Sequence, residues 1–299
     1  MKLFVLLSVL RFMFATVPPQ PQVLYDDLNH PFSLSSPPQR IVSLAPNITE
    51  ILFSLGLADK VVGVTRYCDY PPQVLEKEKI GGLVDPNLEK IQALRPDLIV
   101  AFRGNPLRLL KKMVRLHLPV FVLDTGESLE DLFLTIEKLG RLTRSEEQAT
   151  SLIQALKKEY ESVHQALQAV TLTPKVFLSL PGQGLWTCGQ KSYLNDLIVK
   201  AKGVNIAGRI PEKWLHFNRE VFIYENPEVI IIMAKNQKDF SRVEQWFLNQ
   251  PHLKTVTAVK KDQIFFLDEN TASRFGPRLV DAYVKLVRLL HPRLFQQQG

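Results

Sequence analysis

At 299 residues, with 45% hydrophobic and 22% charged residues and a mean hydropathy of −0.02, the chain has a globular composition with room for two domains of about 150 residues. Its two cysteines, Cys68 and Cys188, exclude a disulfide-dense scaffold and any multi-cysteine zinc or iron–sulfur module. The net charge of +7 comes from 37 Lys and Arg against 30 Asp and Glu with no run of five like charges, so the basicity is dispersed and no nucleic-acid partner is expected.

In chain order, the first element is a charged start, Lys2, followed by the apolar run Leu3–Leu10. Too short for the ~20 apolar residues of a membrane span, it reads as a secretory signal over residues 1–17. No cysteine follows it, so a lipid anchor is not expected. Residues 18–39 hold six prolines and read as a linker.

From Arg40 onward, short apolar strands alternate with helical segments. Arg40–Leu44 reads as a strand, and Asn47-Ile-Thr-Glu50 reads as a capping box opening a helix that stops at Gly56. Lys60–Val64, Leu98–Phe102 and Val120–Leu123 follow as strands, which implies βαβ units and a largely parallel sheet.

An internal repeat carries the domain reading. Asn87–Ala101 aligns without gaps to Asn218–Ile232, matching Asn87 to Asn218, Glu89 to Glu220, Pro96 to Pro227 and Asp97 to Glu228. Each copy predicts an N-cap, a short helix, a proline stop and a buried strand. A period of about 130 residues is too long for a solenoid and fits two similar α/β lobes. Between them, Thr143-Arg-Ser-Glu146 reads as a second capping box, and Ala149 to Val170 carries apolar residues at spacings of three and four. Some 25 residues predict a rod of roughly 38 Å at ~1.5 Å per residue. The resulting α/β fold has two Rossmann-like lobes joined by a single long rigid helix: lobe 40–142, helix 143–172 and lobe 173–299.

The usual reactive motifs are missing. Gly189-Gln-Lys-Ser192 displaces the lysine that a phosphate loop requires, and no nucleophile elbow or dinucleotide fingerprint occurs. The six histidines lack ligand spacing, so no metal site is expected; His164 is expected to be solvated on the spine and His216 to lie in a loop. Loop aromatics are more informative. Tyr67, Phe102, Trp186 (in a Gly-rich strand-to-helix loop), Trp214 and Phe275 lie in or beside loops; of these, Phe102, Trp186 and the Tyr67 loop after Val64 are placed where open α/β sheets bind ligands, and flat side chains of this kind suit a flat organic ligand. Cys68 and Cys188 are expected as free thiols in cleft-side loops. Glu89 and Glu220, equivalent in the two repeats, could present paired carboxylates to basic sites on a two-fold partner.

Arg40–Ile51, Arg66-Tyr-Cys-Asp-Tyr-Pro-Pro72, Gly81-Gly82, Asp85–Ile91, Leu94–Ile99, Gly189–Ser192, Gly203-Val-Asn205 and Ser273–Arg278 resemble, in order, the periplasmic iron-siderophore/vitamin B12 binding-protein family. Tyr-Cys-Asp-Tyr-Pro-Pro and Asp-Pro-Asn-Leu-Glu are most similar to the cobalamin branch, although Leu83 stands where cobalamin binders can carry an aromatic residue. The resemblance implies a monomeric periplasmic substrate-binding protein of an ABC importer, with limited hinge closure and no chemistry on its ligand. It implies a cobalamin or related corrinoid cleft lined by Tyr67, Phe102, Trp186 and Trp214, with polar contacts from Asn270 and Arg274. Glu89 and Glu220 would dock onto the permease dimer, which works with its ATPase subunits; no cofactor beyond the ligand is implied. Haem or a ferric siderophore is the alternative ligand on the same fold, and an enzyme on a two-lobed scaffold is a remote alternative.

Overall fold

Strand order explains most of the architecture of the computed structural model, which describes residues 23–295. In the N-terminal lobe Glu78–Lys79, Val61–Val64, Ile41–Ser43, Leu98–Phe102 and Val120–Leu123 lie side by side, all parallel. In the C-terminal lobe the order is Val204–Asn205, Lys175–Ser179, Val229–Ala234 and Ile264–Asp268, again parallel. Both sheets start in the middle and reverse direction beside their first strand. This topological switch opens a crevice at the carboxyl ends of the strands.

The strands read as continuous apolar runs because each face of each sheet is covered. Ile41, Leu98, Val100, Phe121 and Leu123 point into a central core, whereas Val42, Leu44, Ile99, Ala101 and Val122 point into an outer one. The C-terminal lobe repeats the alternation, with Val176, Leu178, Ile231 and Met233 inward and Phe177, Ile230 and Ile232 outward. The central core is shared, running from the N-terminal lobe through Leu156 and Val163 of the connecting helix to Tyr193 and Leu286.

The repeat appears as expected. Asn87 and Asn218 cap helices Leu88–Ala93 and Arg219–Glu225 by accepting from Lys90 N and Val221 N. Arg95 and Asn226, at matching positions, both turn left-handed before the proline (φ 45° and 50°). Asp97 then accepts from Arg40 N, and Glu228 from Lys175 N, so each acid locks the edge of its own lobe's first strand.

The connecting helix expected over 143–172 is present as Glu146–His164. It packs as the second arm of a helical hairpin, after Leu129–Thr143 of the N-terminal lobe, with Arg144 left-handed at the bend (φ 57°). A short 3-10 turn, Gln165–Ala169, ends it. Nineteen α-helical residues span about 28 Å. Gly140 is required at the contact, because a Cβ there would lie 2.5 Å from that of Ala149. The capping box predicted at Thr143 and Glu146 does not form: Thr143 ends the preceding helix and bonds back to Leu139 O. Ser128 and Asp131 form one instead at the start of the first helix. His164 is not solvated as expected; its Nδ1 lies 2.9 Å from Tyr283 Oη and 3.1 Å from Tyr160 Oη, tying the spine to helix Leu279–Leu290.

The predicted signal lies outside the described residues. Of the expected linker, the described part is not a linker: Val23–Tyr25 pairs antiparallel with Pro31–Ser33. Leu24, Phe32 and Leu34 lie on the central core, with Phe32 edge-on to Phe121 at 5.5 Å. Asp27 N donates to Val122 O, so this hairpin covers the outer edge strand of the N-terminal sheet. Proline density misled because Pro31 sits at the start of a two-stranded ribbon, where no ladder donor is lost. Among the described residues no helix is long and apolar enough to cross a membrane.

Candidate ligand-binding site

On the N-terminal side, Tyr67 follows strand Val61–Val64 and is half exposed. The Arg66 guanidinium lies 5.6 Å from the centre of its ring and donates to both oxygens of Asp85 at 2.7 and 2.6 Å. Phe102 ends its strand partly buried. Its loop is held by a residue that sequence reasoning missed. Asn105 Oδ1 accepts from Phe102 N (2.8 Å), while its Nδ2 donates to Leu83 O (2.7 Å) and Leu44 O (3.3 Å). One buried amide thus fixes three loops at the mouth of the N-terminal sheet.

On the C-terminal side, Trp186 is not in a loop but in strand Trp186–Cys188, paired antiparallel with Trp214–His216. The register sets Trp186 opposite His216 and Cys188 opposite Trp214, so both tryptophans stand on one face of the ribbon. Trp186 is edge-on to His216 at 5.5 Å, and Trp214 is edge-on to Tyr193 at 6.0 Å. Tyr193 in turn lies 5.2 Å from Phe275, and its hydroxyl donates to Ser273 O (2.9 Å). Trp186 and Trp214 remain 47% and 42% exposed, large apolar surfaces held rigidly from behind. Phe275 is buried and belongs to that support rather than to the surface.

A charged network joins the two lobes. Glu50, read from sequence as half of a capping box, is instead a buried carboxylate on helix Pro46–Ser54, whose N-cap Ala45 makes no side-chain bond. Its Oε1 accepts from Arg274 Nη1 (2.9 Å) and Arg278 Nη2 (2.6 Å), and its Oε2 from Arg278 Nε (3.0 Å). Arg274 also pairs with Asp69 at 2.6 Å, and Arg278 lies 3.8 Å over the ring of Tyr70. The expected ligand contact Arg274 is therefore held by the N-terminal lobe, and Asn270 stands behind it, 3.4 Å away. Burial pulls Arg274 down, but the bonds and charges of Asp69 and Glu50 outweigh it and hold the guanidinium above its usual range. Burial likewise pushes the Asp69 carboxyl up, and Arg274 overrides it, leaving Asp69 below the usual carboxylate range. Gly276 lies beside this helix, its Cβ position 3.5 Å from Asn47 O, so the lobes meet backbone to backbone here.

Cys68 and Cys188 are free, as expected, but buried rather than presented to the cleft. Burial pushes the Cys188 thiol up to about 12, so it stays protonated. Glu89 and Glu220 are exposed at the second position of their helices. Backbone N–H donation at the helix start and Arg219 hold Glu220 below the usual range. Among the described residues no cluster of three metal-ligating side chains occurs.

Paired α/β lobes on a helical spine, with aromatics at the strand ends of both, define the architecture of a substrate-binding protein. The chain matches the periplasmic binding protein family over residues 41–271 and belongs to it, as a binding protein of ABC-importer type. It is 30% identical over 261 residues to a vitamin B12-binding protein of Photorhabdus laumondii, covering 87% of this chain and 90% of that one. An uncharacterized ABC transporter substrate-binding lipoprotein of Bacillus subtilis is 26% identical over 284 residues, with 93% and 88% coverage. The crystal structure of the periplasmic vitamin B12 binding protein of Vibrio cholerae superposes with a TM-score of 0.74 at 28% identity, covering 87% of this chain and 99% of that one.

Removing Glu50 would leave two partly buried guanidinium groups facing each other. Glu50→Ala is expected to lower the unfolding free energy by about 3 kcal/mol, read by urea denaturation; a loss below about 0.5 kcal/mol would show the network to be screened by solvent. Asp69, with its folded pKa lowered, contributes stability that is present above its unfolded value of about 3.9 and lost as pH falls through the folded value. The Tm difference between wild type and Asp69→Asn should therefore be present near neutral pH and close on acidification; a constant gap would contradict the ion pair.

Proposed function

We propose that this protein captures cobalamin or a related corrinoid in the periplasm and delivers it to an ABC importer. The observation that carries this reading is the contrast between apolar walls and a neutralised charge network. Trp186 and Trp214 offer flat, half-exposed faces from one side and Tyr67 from the other, whereas the arginines that follow the strands are already paired. Arg66 is matched by Asp85, Arg103 by Asp124, and Arg274 and Arg278 by Glu50 and Asp69. An anionic ferric siderophore would need cations free to meet it, because a buried charge without a partner is costly. A large ligand with broad apolar faces and a weakly charged rim loses nothing beside this network and gains aromatic contact. The relatives that bind vitamin B12 support the same choice.

The repeat supplies the delivery step. Glu89 and Glu220 stand at equivalent, exposed positions in the two lobes, so a permease dimer with paired basic sites would meet one acid from each. No reaction on the ligand is part of this reading. The binding protein works as a single chain.

Isothermal titration with cyanocobalamin should show one tight site, and Trp186→Ala or Trp214→Ala should each weaken it roughly tenfold to a hundredfold. Saturation with haemin or a ferric siderophore and silence with cobalamin would keep the transport role and overturn the ligand. A Glu89→Arg, Glu220→Arg double variant should titrate like wild type yet fail to support cobalamin uptake by cells that depend on this protein. Unimpaired uptake would remove the glutamates from the docking face.

A further inference from the structure

Helix Leu107–Arg115 carries four cations, Arg108, Lys111, Lys112 and Arg115, and no acid. All four are exposed, and among the described residues none makes an ion pair. Their spacing makes them neighbours: 108 with 111 and 112, and 115 with 111 and 112, are like-charge pairs three or four residues apart, each of which weakens a helix. Arg108 also sits in the first turn, the end at which the helix dipole disfavours a cation. A merely solvated face would mix both signs. This one accumulates repulsion that a bound anion would relieve.

A second feature lies on the same helix. Leu107 and Val114, two turns apart on one stripe, are 54% and 56% exposed. They border an apolar groove of about 840 Å³ whose floor includes Leu28, Leu110 and Val122, with Lys111 and Arg108 on its rim. On the helix's other flank, a groove of about 710 Å³ has Arg108, Lys112 and Arg115 in one wall and Glu89 in the other.

We propose that this helix and its apolar groove form a contact site for an anionic phospholipid surface. The four cations would meet headgroup phosphates, while Leu107 and Val114 enter the interface beside the groove. Charge complementarity selects the anion, and the exposed Leu107 and Val114 beside the apolar trough suit a surface that offers acyl chains next to its phosphates. The inference does not depend on the ligand or on the permease. If the docking reading of Glu89 holds, the neighbouring helix would face the bilayer beside the transporter.

The test is vesicle co-sedimentation of the full chain, with vesicles of phosphatidylglycerol mixed into phosphatidylcholine set against pure phosphatidylcholine. Subtracting the neutral arm removes apolar insertion by any other part of the chain. The Arg108→Gln, Lys111→Gln, Lys112→Gln, Arg115→Gln variant is compared with a charge-matched control, Lys238→Gln, Lys254→Gln, Lys260→Gln, Lys261→Gln, in the other lobe. Thermal unfolding of both confirms that they are folded. The expected result is salt-sensitive binding to the anionic vesicles that falls about fivefold for each helix cation removed and changes little in the control. Equal loss in both variants, equal binding to neutral vesicles, or binding to poly-glutamate without binding to phosphatidylglycerol would each overturn the proposal.

Discussion

Glu50 is the constraint on which the relation between the lobes depends. It is 2% exposed on a helix of the N-terminal lobe, and both of its partners, Arg274 and Arg278, come from the C-terminal lobe. A carboxylate removed from water is tolerated only when its lone pairs are filled, and here two guanidinium groups fill them. The pair is directional, so it fixes how the lobes face one another as well as how closely they approach. Gly276 permits that approach, and the ring of Tyr70 covers the outer arginine.

Two further ties act with it. Asp196 accepts from Leu129 N at the start of the helical hairpin and holds Lys200, which also reaches Glu130. Lys213 crosses to Thr125 O and Oγ1 at 3.2 and 3.0 Å. With a continuous apolar core through the spine, these contacts leave little freedom for a wide hinge. Rigid tryptophans and a charge-paired network suit a site formed before its ligand arrives, which lowers the ordering cost of binding.

Some parts of the fold were legible because local physics decides them. Strands Leu98–Phe102 and Val120–Leu123 were readable to the residue, since a sheet covered on both faces needs an uninterrupted apolar run. The duplication was legible in Asn87 and Asn218, because an N-cap side chain acts on its own helix. The linker reading failed on Pro31, whose place in a ribbon depends on an edge strand about 90 residues away. The spine was legible in the apolar spacing from Ala149 onward, but its start was not: the capping box read at Thr143 gives way to a left-handed turn at Arg144, set by the packing of the preceding helix.

The sequence by itself determined two duplicated α/β lobes, a family, and Tyr67, Trp186 and Trp214 as candidate aromatics, whereas the pairing of Trp186–Cys188 with Trp214–His216 came from the fold. Only the tertiary structure decided the roles of the charges. Glu50 in Asn-Ile-Thr-Glu has the spacing of a local cap, and its true partners lie more than 220 residues away in the other lobe. Asn105 gives no periodic signal, yet it joins three loops that are distant in the chain. Periodicity and capping are set by neighbours in sequence, so a sequence reveals them. The pairing of a buried charge is set by whichever groups folding brings within hydrogen-bond reach.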